Sequence, residues 1–440
     1  MNHPLSDTPL ISWPCYEPAG HRVELTEADL VQHVLLIGST GSGKTTLIAS
    51  AIEAIVAHQA RSPVHHPGLV LLDAKGDELV AHLQQAAQRA GRADEVMVFG
   101  PQGQCGLDLF GDLRSLDDVD RVTRRVLLGI DRMGGDNAYW WQATNAMFSA
   151  AFALLVATPP LPSFGAIVEF LRQWFLSPAI PAAVLARQRQ LMQARPHHPL
   201  VATALDQIQL WQELDSRTRS NLQSCLLNAL RPLLGPAAAR CFGRSSPGAM
   251  TPAQVATEGR LCVVAINALV EPELARFLFR FAKQSFFDAV QQRRDPHDRL
   301  CGLIADEFGL VVSNEDVDQL ATVRSRRCFV LAATQGQHAL IERLGPGPTR
   351  SLLNNFNTTI YLRSREAETA VQAHLALGLR QVRVSRRQKD EGGFGHWMSP
   401  PSPEPAVVEV PVCPLGALGQ LSPHQAYLSV CGQNQPVICG

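Results

Sequence analysis

The stretch GSTGSGKT, residues Gly38–Thr45, decides the fold. It matches the pattern G-x-x-x-x-G-K-[ST], the Walker A motif or P-loop, in which the backbone N–H groups of a glycine-rich loop surround phosphates. The apolar run HVLLI at 33–37 precedes it, and TTLIASAIEAIVAHQ follows it with apolar residues at helical spacing. We therefore predict a buried strand before the loop and a helix after it, whose N-terminal dipole favours anions.

This loop is predicted to bind the phosphates of ATP. Lys44 would reach the outer phosphates, and the Thr45 hydroxyl would ligate Mg²⁺. A chance match in a glycine-rich loop is the alternative, and the flanking strand and helix argue against it. The predicted nucleotide-binding residues are Gly38, Ser39, Thr40, Gly41, Ser42, Gly43, Lys44, Thr45 and Thr46.

Strand-like runs and helical segments alternate on both sides of the middle of the chain. GLVLLDAKGD and EVMVFGP follow the P-loop, and RLCVVAIN, CGLIADEF, CFVLAATQ and TTIYLRS appear after residue 250. This alternation predicts an α/β fold with a largely parallel, twisted sheet flanked by helices.

Residues 113–249 contain almost no strand-like run and several amphipathic helical segments, which predicts an all-α domain inserted into the sheet domain. The predicted division is a lead-in over 1–30, a motor domain built from 31–112 and 250–440, and the insertion over 113–249. Within it, Trp140 and Trp141 are expected to pack in the core rather than to stack on bases. The charges, glycines and prolines of Arg386–Pro405 predict a mobile loop.

The run LIADEF places two carboxylates at the end of a strand, as in a Walker B motif. Asp306 is predicted to hold the Mg²⁺ shell, and Glu307 to act as the catalytic base that polarises the attacking water. A solvated turn is the alternative, and the upstream P-loop favours the functional interpretation. Gln335, which ends the strand CFVLAATQ, could sense the γ-phosphate or position the water.

Two charged segments are more ambiguous. In VRSRRC, an arginine could complete the nucleotide site of a neighbouring subunit, or the segment could be a solvated basic turn; the candidates are Arg324, Arg326 and Arg327. In DAKGD, Asp73 could contact water on the metal ion and Lys75 could support phosphates or a neighbouring subunit. A charged turn is the alternative.

Composition bounds these interpretations. The 440 residues exceed one ordinary domain, and the formal net charge of −1 gives no global sign of nucleic-acid binding. The ten cysteines form no CxxC pair, so reduced thiols and a cytoplasmic location are expected. The N-terminus has no signal-peptide pattern, and no apolar stretch reaches the ~20 residues that a bilayer requires.

The order of these elements resembles the TraG/TraD-type coupling proteins of type IV secretion, within the FtsK/HerA superfamily of ring translocases. The resemblance extends from about His33 to the end of the chain. The P-loop is generic, whereas DAKGD and the stretch Asn354–Ala370, NNFNTTIYLRSREAETA, make the match specific. The segment SRTRSNLQSCLLNALRPLL resembles the family's return from its helical domain to its motor domain.

The resemblance implies a hexameric ring of RecA-like motor domains, with ATP at subunit interfaces and DNA or a relaxase–DNA complex as cargo in conjugation. By motif, Lys44 and Thr45 match the phosphate and Mg²⁺ residues, and Asp306, Glu307 and Gln335 match the acidic pair and sensor glutamine. Arg324, eleven residues before Gln335, is near the family's trans-arginine position and is preferred over Arg326 and Arg327.

One departure from the family concerns the membrane. These coupling proteins usually begin with transmembrane helices that dock on the secretion channel, and we see none here. We expect a naturally soluble member or one held at the inner membrane by channel components; a truncated chain is the less favoured explanation.

Two other functions remain open. The first is a recruitment platform for protein cargo in which ATP switches assembly; Glu307 argues against it, because binding alone requires no water-activating carboxylate. The second is a HerA-like translocase for DNA repair or defence.

Overall fold

The computed structural model describes residues 8–14, 22–58, 66–109, 118–129, 138–156, 199–242, 251–295, 299–384, 406–430 and 433–439, with isolated positions between 182 and 193. Its strands are β1 Pro9–Pro14, β2 Arg22–Thr26, β3 Val34–Ile37, β4 Gly68–Asp73, β5 Val96–Phe99, β6 Leu261–Ala265, β7 Cys301–Ala305, β8 Cys328–Thr334, β9 Thr358–Leu362, β10 Leu379–Val384, β11 Ala406–Pro411, β12 Gln425–Val430 and β13 Gln433–Cys439. Its α-helices are α1 Glu27–Leu30, α2 Lys44–Ala57, α3 Glu78–Arg89, α4 Val119–Gly129, α5 Ala138–Val156, α6 Pro199–Glu213, α7 Ser216–Leu230, α8 Pro236–Phe242, α9 Ala253–Glu258, α10 Pro272–Gln291, α11 Phe308–Val311, α12 Asp316–Val323, α13 Gln337–Leu344, α14 Pro346–Leu353, α15 Ala367–Leu377 and α16 Ala417–Gln420.

A nine-stranded sheet organises the molecule in the order β13-β12-β9-β3-β8-β7-β4-β6-β5. The strands from β9 to β5 run parallel, and β12 and β13 are added antiparallel at one end. Strands β3, β4, β7 and β8 are buried at every position, because helices cover both faces. The predicted parallel-rich α/β fold is confirmed.

The sheet separates two apolar cores. Successive side chains of a strand point to opposite faces, so Leu35 and Ile37 enter one core and Val34 and Leu36 enter the other. Helices α2 and α3 cover the face with Leu36, and α10 covers the face with Leu35. Burying each such side chain contributes about 1.5–3 kcal/mol.

Between β5 and β6, the described residues form helices and contain no named strand. They contact α10, where Arg125 Nε of α4 donates to Asp288 Oδ2 over 2.5 Å and the Phe242 ring packs edge-on against Phe277. The domain division stays a prediction. The side chains of Trp140 and Trp141 and the segment 386–405 lie outside the described residues.

No helix in the described part of the chain combines the length and apolarity needed to cross a bilayer.

Candidate nucleotide site

Apart from Arg324, the predicted site residues lie where parallel strands end at one edge of the sheet. The Gly38 N–H donates to the Thr334 carbonyl over 3.1 Å, joining the P-loop to the end of β8. The Asp306 N–H donates to the Leu72 carbonyl over 3.3 Å, joining the segment after β7 to the end of β4. Loops at the carboxyl ends of an open α/β sheet form the crevice in which ligands bind.

The P-loop depends on two glycines in the left-handed region, Gly41 at φ +71° and Gly43 at φ +108°. Lys44 begins α2 and folds back over the loop, donating from Nζ to the carbonyls of Gly38 over 2.5 Å and Ser39 over 3.1 Å. Burial lowers the pKa of Lys44, and the nearby carboxylates of Glu307 and Asp306 oppose that shift. A cation therefore lies inside the loop, as phosphate binding requires.

The acidic pair after β7 faces this cation. Burial raises the pKa of Asp306, with Lys75 opposing the shift. Burial also raises the pKa of Glu307, which Gln335 lowers by donating from Nε2 to Glu307 Oε2 over 3.1 Å. A carboxylate with a raised pKa and a fixed orientation suits a general base. The catalytic roles of Glu307 and Gln335 stay predictions.

The DAKGD turn completes this edge beside Thr45. Lys75 Nζ donates to Thr45 Oγ1 over 3.3 Å and to a Glu78 carboxylate oxygen over 3.2 Å. Asp73 is fully buried; its Oδ1 accepts the N–H groups of Lys75 and Gly76, each over 3.0 Å. Its Oδ2 is also buried and has no hydrogen-bond partner among the described residues.

These oxygen donors fit Mg²⁺. Three oxygen ligands lie at the same edge of the sheet: the Thr45 hydroxyl, the Asp306 carboxylate and Asp73 Oδ2. Asp73 is close enough to raise the pKa of Asp306. Hard oxygen ligands of this kind, together with substrate phosphates and water, are the set that Mg²⁺ uses. The roles of Thr45 and Asp306 stay predictions.

The structure does not bring Arg324 to this site within the chain. Arg324 precedes β8, whose seven residues separate the two edges of the sheet by about 20 Å at ~3.3 Å per residue. It is exposed, whereas Arg327 pairs with Glu27 over 2.5 Å and Arg326 donates to the Arg293 carbonyl over 2.8 Å. The role of Arg324 therefore stays a prediction.

Two residues at this edge were not predicted from the sequence. Arg363, after β9, contacts the P-loop through both its carbonyl and its guanidinium. His424, before β12, contacts it through its backbone and its ring. Arg363 lies in TTIYLRS but has no motif signal of its own, and a single loop histidine has none.

Comparison with known families supports the predicted resemblance. Residues 21–165 match the family model of the type IV secretion-system coupling protein DNA-binding domain. Residues 301–422 match the model described as the TraM recognition site of TraD and TraG. The resemblance to TraG/TraD-type coupling proteins is therefore confirmed. None of the curated protein sequences matches this chain.

Solved structures show the same fold. An unbound bacterial conjugative coupling protein, TrwBdeltaN70, aligns with a TM-score of 0.66 at 19% identity, covering 94% of this chain and 85% of that chain. The plasmid coupling protein TrwB in complex with ADP and Mg²⁺ aligns with a TM-score of 0.65 at 18% identity, covering 94% and 86%. VirB4 of Thermoanaerobacter pseudethanolicus aligns with a TM-score of 0.51 at 11% identity, covering 100% and 98%. The RecA-like P-loop NTPase fold is thus confirmed.

Proposed function

Because the chain belongs with the TraG/TraD-type coupling proteins, we propose that it is an ATPase that moves DNA or a relaxase–DNA complex through a ring of its own subunits. One observation carries the proposal: the P-loop cation Lys44, the raised-pKa carboxylate Glu307 and its partner Gln335 meet at one edge of the sheet. Nucleotide binding alone would require Lys44 but not Glu307 or Gln335.

In the proposed mechanism, ATP binds with its phosphates along Gly38–Thr46, and Lys44 exchanges its carbonyl contacts for phosphate oxygens. Mg²⁺, held by Thr45 and Asp306, would neutralise phosphate charge. Glu307 accepts a proton from the attacking water, and Gln335 holds the carboxylate in place. The relatives solved with ADP and Mg²⁺ and with a non-hydrolysable ATP analogue support these two ligands.

The ring is part of the same proposal. Arg324 lies exposed at the sheet edge opposite the P-loop, where it can serve the site of a neighbouring subunit by neutralising transition-state charge. The all-α insertion over 113–249 would face the incoming substrate. Docking to type IV secretion channel components would hold the assembly beside the inner membrane.

Steady-state ATPase activity with and without single- and double-stranded DNA tests the proposal. We expect DNA to stimulate hydrolysis, and Glu307→Gln to lower kcat by about 10²- to 10⁴-fold, the typical contribution of a general base. Glu342→Gln is the matched control, because that carboxylate is 68% exposed on α13.

Robust ATP binding with hydrolysis indifferent to DNA would overturn the DNA motor. It would favour the recruitment platform in which ATP acts as an assembly switch. Full activity in Glu307→Gln would remove this residue from the mechanism.

A further inference from the structure

The two sides of β3 present different chemistry to the P-loop. On one side lie β8 and β7, whose ends carry Gln335, Asp306 and Glu307. On the other side lie β9 and β12. Because β12 runs antiparallel to β9, the start of β12 and the end of β9 meet at the edge where the P-loop lies. Arg363 and His424 occupy these two positions.

Arg363 is fixed to the first half of the P-loop. Its carbonyl accepts the Ser39 N–H over 2.9 Å and the Ser39 hydroxyl over 3.0 Å. Its guanidinium Nη2 donates to the Gly41 carbonyl over 3.4 Å while the side chain stays half-buried. The positive charge is therefore held beside the loop on the side away from Glu307.

His424 is fixed to the second half of the P-loop. Its N–H donates to the Ser42 carbonyl over 2.9 Å. Its backbone adopts φ +67°, which is uncommon for a residue other than glycine. A Cβ placed on Gly43 would lie 2.8 Å from His424 Nδ1, so the ring packs directly against this glycine. The residue remains exposed, and the ring is available to a ligand.

We infer that Arg363 and His424 form the subsite for the base and ribose of the nucleotide. The inference rests on the proposed function for the direction of ATP: its γ-phosphate end points to Glu307, so its nucleoside end extends over β9 and β12. An imidazole face stacks on a base, and a guanidinium stacks on it or attracts the α-phosphate. Stacking reads no base edge, so this subsite accepts adenine and guanine alike.

Calorimetric titration with Mg²⁺ and three ligands tests the assignment: a non-hydrolysable ATP analogue, the matching GTP analogue and inorganic tripolyphosphate. His424→Asn is the informative variant, because asparagine tolerates φ > 0 and lacks only the ring. We expect about 5- to 150-fold weaker binding of both nucleotides, from the loss of one base–aromatic stack, and unchanged tripolyphosphate binding.

Arg363→Ala is expected to weaken nucleotide binding in the same direction, while Arg365→Ala, exposed two residues further on, is the matched control with no loss. Equal loss for nucleotides and tripolyphosphate in His424→Asn would overturn the subsite, since the residue would then only hold the P-loop. Unchanged nucleotide affinity, or a loss confined to one base, would also overturn it. No hydrolysis or DNA is involved, so failure of the DNA motor would leave this result standing.

Discussion

Two clusters of buried charge on this chain differ in whether their lysine is paired with a carboxylate. On α10, the Lys283 ammonium donates to Asp316 Oδ2 over 2.6 Å, to the Val311 carbonyl over 2.7 Å and to Ser313 Oγ over 3.3 Å. At the P-loop, the Lys44 ammonium contacts two backbone carbonyls, and no ion pair joins it to the described carboxylates. The first cluster is closed in the sense that its ammonium is paired with a carboxylate, although Asp316 Oδ1 has no hydrogen-bond partner among the described residues. The second cluster leaves its ammonium without an ion pair, so the charge remains for a ligand.

The Lys283 cluster stabilises a segment that belongs to the nucleotide site. Val311 ends α11, the short helix that begins directly after Glu307, so Lys283 holds the segment that carries the proposed catalytic base. The neighbouring Gln284 binds both Asp288 of the same helix, over 2.7 Å, and Gln319 of α12, over 2.8 Å. The lysine that is paired with a carboxylate thus holds the scaffold, and the lysine that contacts only backbone carbonyls lies at the nucleotide site.

Lys283→Met should have the largest effect on stability. Removing one partner leaves Asp316 buried and uncompensated, which costs about 3–5 kcal/mol in the free energy of unfolding. Urea denaturation followed by circular dichroism measures this loss.

The double variant Lys283→Met/Asp316→Leu is the control, because it removes both charges and should recover most of the stability. A loss below about 1 kcal/mol in the single variant would show that the Lys283–Asp316 pair contributes little to the stability of the fold.

Lys44→Ala should weaken ATP binding strongly and change the free energy of unfolding less than Lys283→Met does. We expect ATP binding to weaken by about 10- to 150-fold, because a hydrogen bond to a charged group contributes about 1.5–3 kcal/mol. The free energy of unfolding should change by only about 1–3 kcal/mol, since the variant breaks no ion pair and leaves the buried Gly38 carbonyl and the half-buried Ser39 carbonyl without this donor.

Titration with ATP and urea denaturation on the same preparation check both halves of this prediction. Lys75→Ala is the matched comparison, because the Lys75 side chain is 53% exposed and should contribute less to binding. A Lys44→Ala variant that bound ATP normally but unfolded easily would place Lys44 with Lys283 as a structural residue.

The fold was predictable because its signals are local. A glycine-rich loop between an apolar run and a helical segment, followed by further apolar runs, requires β3, α2 and a parallel sheet. Lys44, Asp306, Glu307 and Gln335 could be named as candidates because each follows a strand, and the structure brings these strand ends together at one edge of the sheet. Their catalytic roles stay predictions.

Contacts between distant parts of the chain were not predictable in the same way. His424 reaches Gly43 only because β12 is added antiparallel beside β9, and Lys283 meets Asp316 only because α10 packs across the segment after β7. Nothing in the residues near His424 or Lys283 indicates those partners. The missed residues are thus those whose role depends on how strands and helices assemble.

The smallest expected effect concerns Gln335, whose side chain is hydrogen-bonded to Glu307 at the nucleotide site. Burial raises the pKa of Glu307, and the hydrogen bond from Gln335 lowers it; Gln335→Leu therefore raises that pKa further. Glu307 acts as a base only when deprotonated, so hydrolysis is lost as pH falls through its pKa, and the acidic limb of the kcat profile should move to higher pH. Loss of one hydrogen bond should also lower kcat at neutral pH by roughly 2- to 10-fold.

Steady-state rates at saturating ATP across the acidic and neutral range measure both effects, and Gln337→Leu on α13 is the control. A limb that stays in place while kcat falls would assign Gln335 to positioning water rather than to tuning the carboxylate.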